Sequence, residues 1–254
     1  MTTPTLIEDF NLSESWLKVL EKFNDVSGDE LSPLIITITD LRENRNVREY
    51  LDEHLFKNNK QSIHTVAETI FPLSLQKLFK NDRQEFYKEY KANFKRISKL
   101  DLKSNKKRNG RGTYFQRLID YPGGENGINQ IENIIQSIQD NKNNRRSRYQ
   151  ATTFNPNTDN LDGPYLGFPC LQHVTLYVTK KSGLVLNGFY AMQHIYEKAY
   201  GNWLGLINLG KFIANELDIP FERFNCFISI EKLDTLSKTE AKKLFDQASK
   251  GINI

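Results

Sequence analysis

Cysteine is scarce in this chain: Cys170 and Cys226 are the two in 254 residues. Two thiols are too few for a disulfide framework, and free thiols in a cytoplasmic protein are the expectation. No apolar run approaches the ~20 residues that span a bilayer, so no membrane partner is expected. The start, Met1-Thr2-Thr3-Pro4, lacks the basic and apolar segments of a secretory signal. Gly-rich phosphate loops, CxxC, HExxH and GxSxG are all missing. Their absence withdraws support from nucleoside triphosphatase, zinc-enzyme and α/β-hydrolase readings, and no metal site is expected. Neither charge dominates either: the net +4 says little about partners.

Apolar residues, at 38% with 16 Phe and 11 Tyr, are enough for a real core. Ser13 to Phe23 reads as a short helix behind a loose start, with Ser13 as cap and Trp16, Leu17, Leu20 and Phe23 at helical spacing. Pro33 to Thr39 is a β-branched run that predicts a buried strand. Helical patterns follow at His64 to Phe79, where Pro72 marks a boundary, at 81–100, and at Gly127 to Asp140. Strands are predicted at Tyr149–Phe154, Leu171–Val178, Leu184–Tyr190 and Phe224–Ile230. Lys180-Lys181-Ser182-Gly183 joins the second and third as a hairpin. A helix from Asn202 to Glu216 and a terminal helix over 236–249 complete the pattern. The absence of repeats and of any linker after residue 30 points to one domain over 1–254, with 1–30 as an N-terminal extension. The class is α+β.

Between Lys91 and Arg111 lie nine Lys/Arg against the single acid Asp101. Such a stretch reads first as a solvated loop, and otherwise as a contact for nucleic acid or a phosphate-bearing ligand. Without a nucleic-acid-binding motif, nucleic acid is not the expected partner. Phe168-Pro169-Cys170-Leu171-Gln172-His173 places a thiol at a strand start, as either a nucleophile or a small buried hydrophobe. Cys226, inside an apolar strand, reads as core. His173 is core or site-lining. Arg145, Arg146 and Arg148 form either a solvated turn after a helix or a phosphate clamp, arginine's planar fork being suited to phosphate. His194 is a structural, phosphate-binding or acid–base group. Asn202 reads as a helix cap before a base reader.

The order of segments from 110 to 234 resembles the thymidylate synthases and related pyrimidine nucleotide C5-methylases and hydroxymethylases. Gly112-Thr113-Tyr114-Phe115-Gln116-Arg117 before Ile128-Asn129-Gln130-Ile131 is similar to the family's Gly-x-x-Tyr-Gly-x-x-Trp-Arg element before Ile-Asp-Gln-Ile, without the tryptophan. Arg145 and Arg146, or Arg148 by the alternative count, fall at the family's paired arginine. Pro169-Cys170 matches its Pro-Cys-His with Leu171 in place of histidine. Gln193-His194-Ile195-Tyr196-Glu197 through Gly205 resembles Gln-Arg-Ser-x-Asp-x-x-x-Gly-x-x-x-Asn. Here His194 stands at a phosphate arginine, Glu197 at the aspartate, and Gly205 at the asparagine that reads the base. Lys232-Leu233-Asp234 stands at the sugar-binding His-x-Tyr.

The resemblance implies a mixed β-sheet covered by helices and a sheet-to-sheet homodimer. It implies a pyrimidine nucleotide substrate and 5,10-methylenetetrahydrofolate as one-carbon donor. Cys170 would be the nucleophile, with Tyr114 and Glu197 as further catalytic residues. Arg145, Arg146, Arg148 and His194 would hold phosphate, the arginines from the neighbouring subunit. Asn202 or Asn208 would substitute for the missing base reader. The departures point to a diverged branch, favouring hydroxymethyl over methyl transfer, or to a catalytically silent nucleotide-binding or structural relative.

Overall fold

The computed structural model describes residues 3–8, 11–103, 112–122, 127–140, 145–160 and 169–250. In chain order the elements are β1 (Thr5–Glu8), α1 (Leu12–Lys22), β2 (Glu30–Leu31), β3 (Leu34–Ile38), α2 (Arg45–Lys57), α3 (Ile63–Ile70), α4 (Leu73–Gln76), α5 (Arg83–Lys103), α6 (Tyr114–Ile119) and α7 (Gln130–Gln139). They continue with β4 (Gln150–Thr152), α8 (Pro156–Asp159), β5 (Leu171–Val178), β6 (Leu184–Tyr190), β7 (Gln193–His194), α9 (Tyr200–Glu216), β8 (Phe221–Ile228), β9 (Glu231–Lys232) and α10 (Lys238–Ala248).

Six strands form a mixed sheet in the order β1-β3-β8-β6-β5-β4, and β2-β9-β7 form a smaller one. β1–β3 and β6–β8 run parallel; the other neighbours in the large sheet are antiparallel. Side chains alternate across the sheet. Leu34, Ile36 and Ile38 of β3, Leu184, Leu186 and Tyr190 of β6, and Phe224, Cys226 and Ile228 of β8 are buried beneath helices. The chain is thus α+β, a mixed sheet covered by helices. The opposite face carries Phe189 and Phe227, which stack at 5.3 Å and 7° yet stay 38% and 37% exposed. Beside them Asn225 donates to Asn187 Oδ1 (2.7 Å), and Asn187 donates to Thr175 Oγ1 (3.0 Å).

The described residues before 30 pack onto the sheet and its helices. β1 pairs with β3, and α1 buries Trp16, Leu17, Val19, Leu20 and Phe23. The indole N–H of Trp16 donates to the Ile195 carbonyl (2.9 Å), tying α1 to the turn before α9. The cap of α1 is Asn11, whose side chain accepts from Glu14 N–H; Ser13 instead bonds the Tyr200 hydroxyl at 2.7 Å. The expected helix from His64 to Phe79 breaks after Ile70, because Pro72 has no N–H to continue it. In the basic stretch, helix α5 runs on to Lys103; residues 104–111 lie outside the described residues. No helix among the described residues is long and apolar enough to cross a membrane.

α9 lies against α3 so closely that a Cβ on Gly205 would sit 2.8 Å from the Ala67 carbonyl oxygen. An asparagine therefore has no room at the position aligned with the family's base reader. The helix begins at Tyr200, directly after a π-helical turn at Ile195–Ala199. Asn202 is consequently inside the first turn of α9 and not its cap.

Candidate active site

The site is built where β5 begins and β6 ends, beside the start of α6. Pro169 and Cys170 lead into β5, and the Cys170 carbonyl accepts from Ala191 N–H (3.0 Å) at the end of β6. The Cys170 N–H donates to the Tyr114 hydroxyl at 3.3 Å. Two candidate catalytic residues 56 positions apart are thereby brought together. Phe168, at the head of the motif, lies outside the described residues.

Tyr114 is the first residue of α6, whose start is fixed by Thr113 accepting from Gln116 N–H. Tyr90 of α5 bonds that threonine at 2.6 Å. One turn on, Arg117 grips Asp159 with two hydrogen bonds (2.5 and 3.0 Å) and donates to the Thr153 carbonyl (2.7 Å). Sequence reasoning missed this clamp; its partners are 42 residues apart, and no local pattern signals the pairing. Burial pushes the Tyr114 phenol well above its ordinary range, so the hydroxyl keeps its proton.

Cys170 is half-buried. Burial pushes its thiol up, and the charge of Lys198 pulls it the other way. Lys198 belongs to the π-helical turn and donates to Gln61 Oε1 at 2.6 Å. Its neighbour Glu197 takes Lys60 and Thr235 on Oε1. Burial opposes the Glu197 charge, but Lys60 and Thr235 outweigh it and hold the carboxyl below its usual range. Glu197 is therefore an anchored ion-pair partner in this chain. His194 sits on β7 with Nδ1 3.5 Å from Asp234 Oδ1, which joins the two motifs aligned with the family's arginine and His-x-Tyr.

Asn202 is 5% exposed, and Asn208 sits further along α9, half-buried. His173 faces away from Val174, on the open side of the sheet with its cross-strand partner Phe189. It is half-buried there and not part of the core. Cys226 is core, 1% exposed. Arg145, Arg146 and Arg148 are exposed on a one-turn helix before β4. Arg148 lines a cleft of about 190 Å³ with Gln130, Asn133, Ser137 and Gln150. Because Tyr149 O accepts from Leu176 N–H, these arginines lie six residues along β5 from Cys170, roughly 20 Å away. Within one chain they do not reach the thiol. Among the described residues no cluster of metal-ligating groups occurs.

Deeper, Tyr190 Oη, Gln193 Nε2 and both Glu231 oxygens are buried without a hydrogen-bond partner among the described residues. Trp203 donates to Gln193 Oε1 (3.0 Å), which leaves the amide nitrogen as the free donor. Burial pushes Glu231 well above the usual carboxylate range, and it keeps its proton in the fold. The folded chain then binds more protons than the unfolded one from about pH 4.3 upward. Stability therefore falls as pH rises from there to the folded-state pKa, by up to about 1.4 kcal/mol per pH unit. Glu231→Gln should remove this fall and gain stability at neutral pH. Urea midpoints across pH 5 to 8 test it; parallel curves for the two proteins would refute it.

No family model matches the chain. A protein of Methanocaldococcus jannaschii named "Putative thymidylate synthase" is 33% identical over 110 residues, which are 42% of this chain and 48% of that protein. The chain thus spans about half the length of this curated relative. Over that part it is similar to a thymidylate-synthase-like protein, in keeping with the segment order read from the sequence.

Proposed function

We propose that the chain is a thymidylate-synthase-like transferase that moves a one-carbon unit, hydroxymethyl or methyl, to C5 of a pyrimidine nucleotide. The observation that carries this reading is the placement of Cys170 at the head of β5, its backbone held by Tyr114 from α6. The M. jannaschii relative's name supports the same class. The Cys170 thiolate would add to C6 of the ring, whose electrons move to C5 and the C4 substituent. C5 then takes up a solvent proton or the one-carbon unit; loss of the original C5 proton to water, with expulsion of the thiolate from C6, restores the ring. Tyr114, kept protonated, would hold the β5 start in place and offer a hydrogen bond to the bound ring.

A 5,10-methylenetetrahydrofolate would supply the one-carbon unit. No described side chain is particular to a pterin. The nucleotide phosphate would meet Arg145, Arg146 and Arg148 of a second copy, with His194 on the near side. This needs a homodimer, and the open sheet face with its exposed Phe189–Phe227 stack supports one. Phe227→Asp should convert a wild-type dimer to monomer in sedimentation velocity. A wild-type chain that stays monomeric at tens of micromolar would end the sheet-to-sheet assembly.

The chemistry is tested by tritium release from C5 of labelled CMP, dCMP, UMP and dUMP, which a competent thiol catalyses without any donor. Release from at least one is expected. A second reading, a silent nucleotide-binding relative, is favoured by the burial that raises the Cys170 thiol and by Leu171 where the family has histidine. Nucleotide-dependent thermal stabilisation with no release from any of the four would select it.

A further inference from the structure

Resting on the reading of the chain as a transferase that binds a pyrimidine nucleotide, we infer that His194 and Asp234 form a proton-coupled phosphate grip, with Asp234 as the residue that positions the imidazole. Two short strands set the pair. β7 and β9 run parallel with His194 opposite Lys232, which brings Asp234, two residues on, to the same ring. His194 Nδ1 is buried, and Asp234 Oδ1 stands 3.5 Å from it. The His194 side chain nevertheless keeps 29% of its surface in solvent, so the exposed edge is the one that carries Nε2. Asp234 adopts φ 62°, a left-handed conformation that Gly, Asn and Asp accept most readily. The next residue, Thr235, bonds Glu197 Oε1 (3.2 Å), so one loop meets both His194 and the π-helical turn that follows it. Ala191 N–H bonds the Cys170 carbonyl, and His194 lies three residues beyond, at most roughly 11 Å away. A nucleotide bridges such a span between ring and phosphate.

The titratable groups on the elements around the ring leave Asp234 as its acid. On β9, Lys232 is paired with Glu30 of β2 at 2.7 Å, and Asp29 lies near the same lysine. On the π-helical turn, Glu197 is paired with Lys60. Glu231, on the opposite face of β9, turns into the core. An arginine would keep its charge throughout, whereas an imidazole changes charge between pH 5 and 8. In the neutral ring one nitrogen donates and the other accepts. With Nδ1–H turned to the carboxylate, Nε2 offers a lone pair that repels a phosphate oxygen. Only the imidazolium donates from both nitrogens, and its bond to Asp234 is then charge-assisted. Phosphate therefore binds together with a proton, which is held on Nε2.

Two measurements on the full chain test this. Long-range ¹H–¹⁵N spectra of histidine-labelled protein read the tautomer of each ring, with His194 assigned by its loss in His194→Arg. Neutral His194 is expected in the Nδ1–H form; the Nε2–H form would overturn the inference without any nucleotide present. Calorimetry with CMP, dCMP, UMP and dUMP across neutral pH, in buffers of differing ionisation heat, then counts the protons taken up on binding. Wild type should approach about one proton and lose affinity with rising pH, relative to His194→Arg, by up to about tenfold per pH unit. The comparison cancels the phosphate's own ionisation near about pH 6, which both proteins share. Asp234→Asn keeps the left-handed backbone, removes the charge and should weaken binding at mildly acid pH by about threefold to tenfold. Thermal melts confirm that each variant is folded. Parallel pH profiles in wild type and His194→Arg, or Asp234→Asn binding as wild type does at every pH, would sink the inference and leave the nucleotide reading intact. If none of the four nucleotides binds wild type, both fall together.

Discussion

Cys170→Ala is expected to lower tritium release from C5 of the responsive nucleotide by about four orders of magnitude or more. Removing a covalent nucleophile abolishes the route itself, leaving only what binding and neighbouring groups supply. The fold should survive. Cys170 is half-buried at a strand start, and its backbone bonds to Tyr114 and Ala191 do not involve the sulfur. Replacing the S–H group by hydrogen there costs on the order of 1 kcal/mol, a few degrees of melting temperature for a chain this size. Cys226→Ala supplies the contrast, since its sulfur lies in the core and should not bear on exchange. Equal release by wild type and Cys170→Ala would remove the thiolate mechanism, whatever the nucleotide.

The parts legible in the sequence are those that local patterns write. β3, β5, β6 and β8 follow from β-branched and aromatic runs, and the β5–β6 hairpin from Lys-Lys-Ser-Gly, where Ser182 adopts φ 63°. α2 was missed because it shows only Val47, Leu51 and Leu55 to the core, spaced four apart among charged residues. β1 escaped because just one of its four residues, Ile7, is buried. β2, β7 and β9 have two residues each, too short for any period. Asn202 looked like a cap because Gly201 reads as a break, whereas the π-helical turn carries the helix upstream of it. At the site, the Pro-Cys step and Tyr114 stood out by residue type and order. Lys198, Glu231 and the Arg117–Asp159 clamp did not, since their meaning depends on partners brought in from elsewhere in the chain.

That clamp carries the largest expected effect on stability. Arg117 and Asp159 are 8% and 4% exposed, and the pair is two-pronged, with Asn155 N–H also donating to Asp159 (2.8 Å). Arg117→Met leaves a buried carboxylate without its cation and strands the Thr153 carbonyl, a loss of about 3–5 kcal/mol. Against a typical total of roughly 5–15 kcal/mol, that is a large share. Burial alone would raise Asp159, but Arg117 and the Asn155 N–H outweigh it and hold the carboxyl below its usual range. The contribution is thus fully present above the unfolded value of about pH 3.9 and fades as pH falls through the lower folded one. Urea denaturation should show the gap between Arg117→Met and wild type at neutral pH, narrowing in acid. Adding Asp159→Leu should recover part of the loss, because an apolar pair avoids the stranded charge. The same clamp holds α6, and with it Tyr114 one turn earlier, against the segment before β5. C5 exchange by the folded fraction of Arg117→Met should therefore fall further than its population alone explains. A variant as stable and as active as wild type would show that the start of β5 is positioned by something other than α6.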